Sequence, residues 1–417
     1  MSDSLIKKAF LWNMLGSGMN AAMTMILTVV AAQVVGSEAS GTLNLAFGLA
    51  FIFYCIGTFE TRAYQVTDRN GRFGFNAYLS MRCLTCLVGI VCSLIYVFVL
   101  GYTGDKLQVV VSICLFKMCE ALSDIFQGLF QSHDRMDLAG KTMFFHSLLA
   151  TVVYAAVLML TRSSAFGAVS MLAVSVVLVL VYDLRIARRF INRIRLRISM
   201  TSLRSIASEC WTMAASSIMV IYVTNAEKLV IDQYMPPMQP VWTALFMPAA
   251  FINLFAQFAF KPMLTGMADT WNSGNKQVFR RTCSRLIGGI GVFSLIVIAA
   301  GCWLGIPLLE VLYGIPLREH TVSFAVILLG GGFNALGVFL WHVLIIIRRQ
   351  RRAVIGDVVA FAFALLGVPL LVKAYGVIGA ATGYLSCMAL RTALFSMLIF
   401  MKAEDSITQE TEGRVKE

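Results

Sequence analysis

The chain has 417 residues, 59% of them hydrophobic and 13% charged, with a formal net charge of +12 and a mean hydropathy of +0.79. Such a composition lies far outside the soluble globular range and places the chain among polytopic membrane proteins. The positive charge would suggest nucleic acid in a soluble protein, but its placement, described below, follows a membrane and argues against that partner.

A membrane-crossing helix needs about 20 mainly apolar residues. Twelve stretches qualify: 10–34, 42–61, 78–100, 108–131, 142–161, 165–183, 207–228, 242–262, 284–306, 321–347, 354–372 and 376–400. The start, Met1 to Lys8, is short and polar, and the apolar run after it lacks a small-residue cleavage site. It reads as the start of a membrane span and not as a cleaved leader.

In the first span Asn13, Ser17, Asn20, Thr24 and Thr28 share one helical face. They either line a polar chamber or hydrogen-bond a neighbouring helix, since polar side chains also glue membrane helices together. Arg62 and Asp68 bracket the inner end of the second span. In the third, Cys83 and Cys86 form a CxxC with no partner cluster, so they read as small apolar fillers and not as metal or redox ligands.

The fourth span, VVVSICLFKMCEALSDIFQGLFQ from Val109 to Gln131, organises the rest. At about 100° per residue, Lys117, Glu120, Asp124, Gln127 and Gln131 fall in one stripe, opposite Val111, Leu115, Met118, Leu122, Phe126 and Leu129. A charge at bilayer depth costs at least about 2.5–3.5 kcal/mol on insertion scales, so these residues must face a protein interior or a wet cavity. The helix reads as a wall between lipid and water-filled space. Lys117 has an internal partner available in Glu120, three residues on. Asp134, Arg135 and Asp137 follow this span; with Arg62, Asp68 and Gln131 they are candidates for a lock on the cytoplasmic mouth, and solvated loop charge is the alternative.

A long basic stretch from Arg185 to Arg204 divides the chain into six spans and six spans. The expected organisation is therefore a first lobe over 1–184, a basic linker over 185–206, a second lobe over 207–402 and a disordered polar tail over 403–417. Two bundles of similar topology suggest a transporter built from repeats. In the second lobe Glu209, Thr212 and Ser216 share a face of the seventh span, Glu227, Lys228 and Asp232 fall at its outer mouth, and Asn253 and Gln257 lie a turn apart in the eighth. Gly330, Gly331 and Gly332 in the tenth span and Pro369 in the eleventh permit kinking or close packing. Gly379 and Gly383 make a GxxxG packing pair. Arg391 in the twelfth span has no acid on its own helix, so it needs a partner elsewhere or an anionic ligand. Gly288 to Gly291 follow no strand and make no nucleotide loop, and there is no P-loop; no cofactor and no metal site are expected.

Lys and Arg recur in alternate loops: Lys7 and Lys8, then Arg62 to Arg82, Arg135 and Lys141, Arg185 to Arg204, Lys261 to Arg285, and Arg348 to Arg352. The intervening loops hold little more than Lys106, Arg162, Arg318 and Lys373. By the positive-inside rule both termini are cytoplasmic, in a cell membrane.

At YQVTDRNGRFGFNAYLSMRCL and KMCEALSDIFQGLFQSHDRMDLAGK the chain resembles the polysaccharide-biosynthesis flippases of the multidrug/oligosaccharidyl-lipid/polysaccharide exporter superfamily. Gln65, Asp68 and Arg82 carry the resemblance around the second inner turn, with Lys117, Glu120, Asp124, Gln131, Arg135, Met136 and Asp137 along and after the fourth span. The resemblance implies an all-α protein of two six-helix lobes around a V-shaped cavity. It also implies transport of an undecaprenyl-pyrophosphate glycan from inner to outer leaflet for surface polysaccharide, lipopolysaccharide included, beside glycosyltransferases or a glycan polymerase as partners and with lipid all round. On that reading Lys117, Glu120, Asp124, Gln127, Arg391, Asn13 and Asn20 line the cavity, with Lys117, Arg391 and Arg62 meeting the pyrophosphate. A drug or cation antiporter of the same superfamily would favour an anionic pocket. A glycan-processing membrane enzyme would need a larger outer loop or a buried His or acid constellation, whereas His133, His146, His320 and His342 are scattered along the chain; no enzyme activity is expected.

Overall fold

The computed structural model describes residues 3–68, 72–191, 193–196 and 199–400; the tail expected over 403–417 lies outside them. Ten of the described segments are long and apolar enough to cross a membrane. Gly104–Ser132 matches them in length and carries the charged stripe, while the last segment, Gln350–Phe400, is two helices meeting at Gly376 (φ 63°, ψ −134°). Twelve helices thus stand where twelve spans are expected, and no strand appears among the described residues.

We number them α1 (Asp3–Val34), α2 (Ser37–Thr58), α3 (Phe75–Val99), α4 (Gly104–Ser132), α5 (Met136–Thr161), α6 (Ser164–Val177), α7 (Met200–Val223), α8 (Gln239–Phe260), α9 (Lys276–Ala300), α10 (Thr321–Ile346), α11 (350–375) and α12 (377–400). Several run on past a break. A short helix, Thr61–Thr67, follows α2; a π-turn, Leu178–Asp183, and Leu184–Ala187 extend α6; Ala226–Tyr234 extends α7. The connection between halves is shorter than 185–206, because helix persists to Ala187 and resumes at Met200: the arginines there sit on helical ends as well as between them.

The apolar core falls into three clusters, one of which takes in Leu203, Ile206 and Cys210 of α7 together with first-half residues. One cluster runs from Met23 to Met171, a second from Tyr78 to Cys210, and a third gathers the second half from Val223 to Phe395, with Ala32 as the sole buried member from the first half. The reading of α4 as a wall facing lipid is corrected: its apolar face is interior, with Met118, Phe126 and Leu129 all buried. Glycines on the neighbours make room for it. A Cβ at Gly57 or Gly89 would lie 3.0 Å from Met118 Sδ, so α2 and α3 close over the side that periodicity alone assigns to lipid.

The loops define an arginine-rich and an arginine-poor end. At the arginine-poor end the halves are tied across: Lys106 donates to Asp232 (2.5 Å), Tyr102 to Asp232 (2.5 Å), Asn44 to Thr243 (3.0 Å), and Gln33 to the carbonyls of Val311 (3.0 Å) and Leu312 (2.5 Å). Toward the arginine-rich end they stay joined along α2 and α7. Phe59 packs on Trp211, and Ser217 donates to Glu60 at 2.6 Å. Phe59 and Glu60 both take left-handed backbone (φ 46° and 53°), a conformation unfavourable for side-chain-bearing residues, which turns the chain out of α2 and aims Glu60 at its partner. Along α1 and α8 the same end carries exposed Phe10, Leu11, Met14 and Leu15 on one helix and Phe255 on the other, with Met263 exposed in the turn just past it.

Candidate functional site

The stripe on α4 is held by helical spacing, since positions three and four apart share a face. The short helix Thr61–Thr67 crosses it closely: a Cβ at Gly128 would lie 2.5 Å from Gln65 Oε1, so glycine there lets the two helices touch. That approach delivers Arg62. Its Nη1 donates to Asp124 Oδ1 (2.8 Å) and Gln127 Oε1 (3.1 Å), and its Nη2 to Gln131 Oε1 (3.1 Å). From α3, fully buried Arg82 donates to the other Asp124 oxygen at 3.0 Å and to the Gly57 carbonyl at 3.3 Å. Lys117 pairs with Glu120.

These groups border a cavity of about 200 Å³ lined by Asn20, Tyr54, Arg62, Glu120, Ser123, Asp124, Gln127, Met143 and His146. The cluster holds Arg62, Arg82 and Lys117 against Glu120 and Asp124, so it carries one net positive charge. Arg62 is the cation on the wall, with its side chain about a quarter exposed (25%). A wet site with paired but reachable charge can bind a polar, charged group without leaving a bare ion when empty.

Of the expected cavity residues, Glu120, Asp124, Gln127 and Asn20 lie together on this wall. Lys117 does not, which corrects its assignment: it is 1% exposed and boxed by Phe47, Phe51, Tyr54 and Phe116 at 4.5–5.9 Å. The aromatic faces and Glu120 replace its water. Arg391 is corrected likewise. It is buried in the second half, where its Nε donates to Asp357 Oδ1 (2.8 Å) on α11 while Ser216 of α7 donates to Asp357 Oδ2 (3.0 Å). Asn13 lies toward the arginine-rich end of α1, its amide 3.5 Å from the Met136 carbonyl, away from the cavity.

The expected mouth residues divide. Arg62 and Gln131 belong to the cavity network. Arg135 and Asp137 form a local fork at 2.8 and 3.0 Å, and Asp68 caps its own loop, so none of these three bridges the halves. Asp68 accepts from the Arg72 and Phe73 amides (3.0 and 3.1 Å) and from Tyr78 Oη (2.8 Å). Slight burial works the other way, but the Phe73 amide, the Tyr78 hydroxyl and the Arg72 amide together hold its carboxyl below the ordinary 3.8. The cross-half contact near this loop is Arg72 to Glu209 (3.4 Å) and Ser205 (3.2 Å).

Sequence reasoning missed the partners Asp357 and Asp183 and the place of His146 on the cavity wall. Asp357 is the lone acid in the eleventh apolar run, the only signal that Arg391 has a partner. His146 and Asp183 sit in separate spans, and only the fold brings them to 3.2 Å. Glu227, expected at the outer mouth, is 1% exposed with neither carboxylate oxygen hydrogen-bonded, beside Lys228, which donates to Asn225 at 3.1 Å.

The sequence matches no family model and no curated protein. Solved structures share the fold. An inward-facing multidrug-resistance MATE transporter of the MOP superfamily superposes with a TM-score of 0.71 at 12% identity, covering 92% of this chain and 96% of that one. An outward-facing MATE transporter of that superfamily gives 0.61 at 14% identity, covering 94% of each chain. A MOP-superfamily transporter from Pyrococcus furiosus, whose binding pocket has reversed polarity, gives 0.57 at 13% identity, again with 94% of each chain covered.

Proposed function

We propose that the protein is a membrane transporter that carries a lipid-linked oligosaccharide between leaflets by alternating access, with the arginine-rich end facing the cytoplasm. The observation that carries this reading is the polar cavity, whose wall carries one cation, Arg62, held by Asp124, with Arg82 and Lys117 buried behind the two lining acids. A glycan headgroup cannot cross hydrocarbon, and its pyrophosphate needs a cation; Arg62 offers one already desolvated on one side. Outward movement of a negative group across an inside-negative membrane is favoured by about 2.3 kcal/mol per charge per 100 mV. Support for alternating access comes from the fold shared with transporters caught facing either way, and from ties concentrated at the arginine-poor end. The sequence pattern around Gln65, Arg82 and the fourth span supports the glycan cargo.

A second reading, export of cationic drugs, rests on Glu120 and Asp124, both on the cavity wall. Their opposite demands on the site separate the two. In a strain lacking this protein, Arg62→Gln abolishes restored glycan export if pyrophosphate binds there, with the protein still in the membrane. Restored drug resistance that depends on Glu120, with no effect on surface glycan, would replace the proposal with the second reading.

A further inference from the structure

We infer that the connection between the two halves is a binding site for anionic phospholipid headgroups of the leaflet at the arginine-rich end. The stretch from Leu184 to Ser208 holds seven arginines, no lysine and no acid. Membrane topology asks only for positive charge, which lysine supplies as well, as Lys141 and Lys276 do elsewhere at this end. Arginine throughout suits a ligand with paired oxygens. The guanidinium fork meets a phosphate with two parallel hydrogen bonds, where an ammonium offers a point charge.

The stretch is held in place by its apolar residues and its backbone. Leu184–Ala187 is helical, with Ile186 and Ala187 buried. Phe190 packs on Phe130 and His133 at the end of α4, with ring centroids 5.7 and 5.1 Å away. Ile191 and Ile194 pack inward beside it. Asn76 of α3 then brackets the backbone: its amide donates to the Arg193 carbonyl at 3.2 Å, and its oxygen accepts from the Arg195 amide at 3.1 Å. With the apolar side chains turned in, Arg185, Arg188, Arg189, Arg193 and Arg195 are left exposed. Among the described residues none of the five has a carboxylate partner. Asp137 is taken by Arg135 and Glu209 by Arg72, while exposed Asp134 on the neighbouring turn pairs with no arginine.

The exposed neighbours place these arginines at headgroup level. Leu180 and Val181, 59% and 60% exposed, lie about one turn before Arg185. Leu196 (61%) follows Arg195 directly, and Met200 (77%) opens α7. Bare apolar side chains on both sides of a run of arginines fit the boundary where acyl chains give way to phosphate. The rival occupant is the chain's own tail, with Glu404, Asp405, Glu410, Glu412 and Glu417. The lipid is favoured because it alone brings acyl chains to Leu196 and Met200 together with its phosphate. Lipid bound here clasps the connection between the halves whatever the cargo, so the site does not rest on the function proposed above.

The full-length protein is titrated in detergent with dioleoyl phosphatidylglycerol or dioleoyl phosphatidylcholine, and bound lipid is counted by native mass spectrometry. The expected result is retention of phosphatidylglycerol and not of phosphatidylcholine. With Arg188→Gln, Arg189→Gln and Arg193→Gln together, affinity for phosphatidylglycerol falls about a hundredfold, at about fivefold per arginine. Arg280→Gln, Arg281→Gln and Arg285→Gln together remove as much exposed charge from α9 and leave the affinity nearly unchanged. Lysine at 188, 189 and 193 keeps charge and topology and recovers only part of the affinity; it decides alone if the first variant fails to insert. A chain ending at Lys402 binds as the wild type does. Equal retention of the two lipids, equal loss in the two glutamine variants, or full affinity in the lysine variant overturns the inference. So does displacement of the lipid by millimolar inorganic phosphate, or a gain of affinity on removing the tail, which would assign the arginines to the tail.

Discussion

Arg62 and Asp124 meet at 2.8 Å, joining the short helix after α2 to the last third of α4 on the wall of the cavity. Arg82 holds the other oxygen of the same carboxylate from behind, fully buried. One acid thus serves an exposed and a sealed cation. Asp124→Ala is expected to strand Arg82 and cost about 3–5 kcal/mol, the usual consequence of removing one partner of a buried pair. Arg62→Gln removes the partly exposed member and is expected to leave the melting temperature nearly unchanged while abolishing the transport proposed above. Thermal melts in detergent beside a transport assay check both; a melt unmoved by Asp124→Ala would refute the shared-acid account.

Arg391 and Asp357 are expected to hold α12 to α11 and α7 without touching cargo. Arg391→Ala alone strands a buried carboxylate, at about 3–5 kcal/mol, whereas the double change Arg391→Met with Asp357→Leu restores most of that loss. Melts of the single and double variants measure it. Recovery of stability without recovery of transport would show that the pair does more than hold helices.

Asp232 receives both Lys106 and Tyr102 at the arginine-poor end. Asp232→Asn weakens both bonds, and the population open at that end is expected to rise. Spin labels on exposed Leu160 and Val322, at that end of the two halves, read it out, and an unchanged distance distribution would count against this contact as a latch.

Gly140 and Gly288 make a matched pair. A Cβ at Gly140 would lie 2.4 Å from backbone carbon of Trp12, while at Gly288 nothing stands within 4 Å. Gly140→Ala forces α1 from α5 and is expected to cost about 1–3 kcal/mol. Gly288→Ala is neutral or stabilising, because alanine is the better helix former by about 1 kcal/mol. Equal melts for the two variants would contradict the packing described.

The loop capped by Asp68 gives a pH dependence with a definite sign. Its carboxyl is held below 3.8, so its contribution is present above that value and fades as pH falls through the lower folded-state value. Between pH 5 and 8 the loop is expected to be insensitive to pH. Hydrogen exchange at the Arg72 and Phe73 amides, slowed by the cap, accelerates in Asp68→Asn at neutral pH.

The number of helices was legible because it rests on length and hydropathy, quantities local to each stretch. The stripe on α4 was legible for a similar reason: helical spacing places Glu120, Asp124 and Gln127 on one wall. What surrounds a helix is not local. Met118 and Phe126 look the same facing lipid as facing Gly57 and Phe75, so α4 reads as a boundary when it is interior. Partners across the fold were hidden as well. Nothing near Arg391 in the chain names Asp357, and nothing near Lys117 shows that Phe47, Phe51 and Tyr54 from α2 enclose it. Free cations read from sequence were therefore too many, and of the three named for the pyrophosphate, Lys117, Arg391 and Arg62, only Arg62, named also for the mouth, lies on the cavity wall.

The seam between α2 and α7 has a consequence for what can be selected. Held along that edge, and tied from Gln33 to Val311 and Leu312 at the arginine-poor end, the halves are left to part between α1 and α8 at the arginine-rich end. A slot on that side places no limit on how long a hydrocarbon chain trails from it. For the lipid-linked cargo proposed above, discrimination would then fall to the head, and two such lipids differing only in the number of isoprene units would be expected to move equally well.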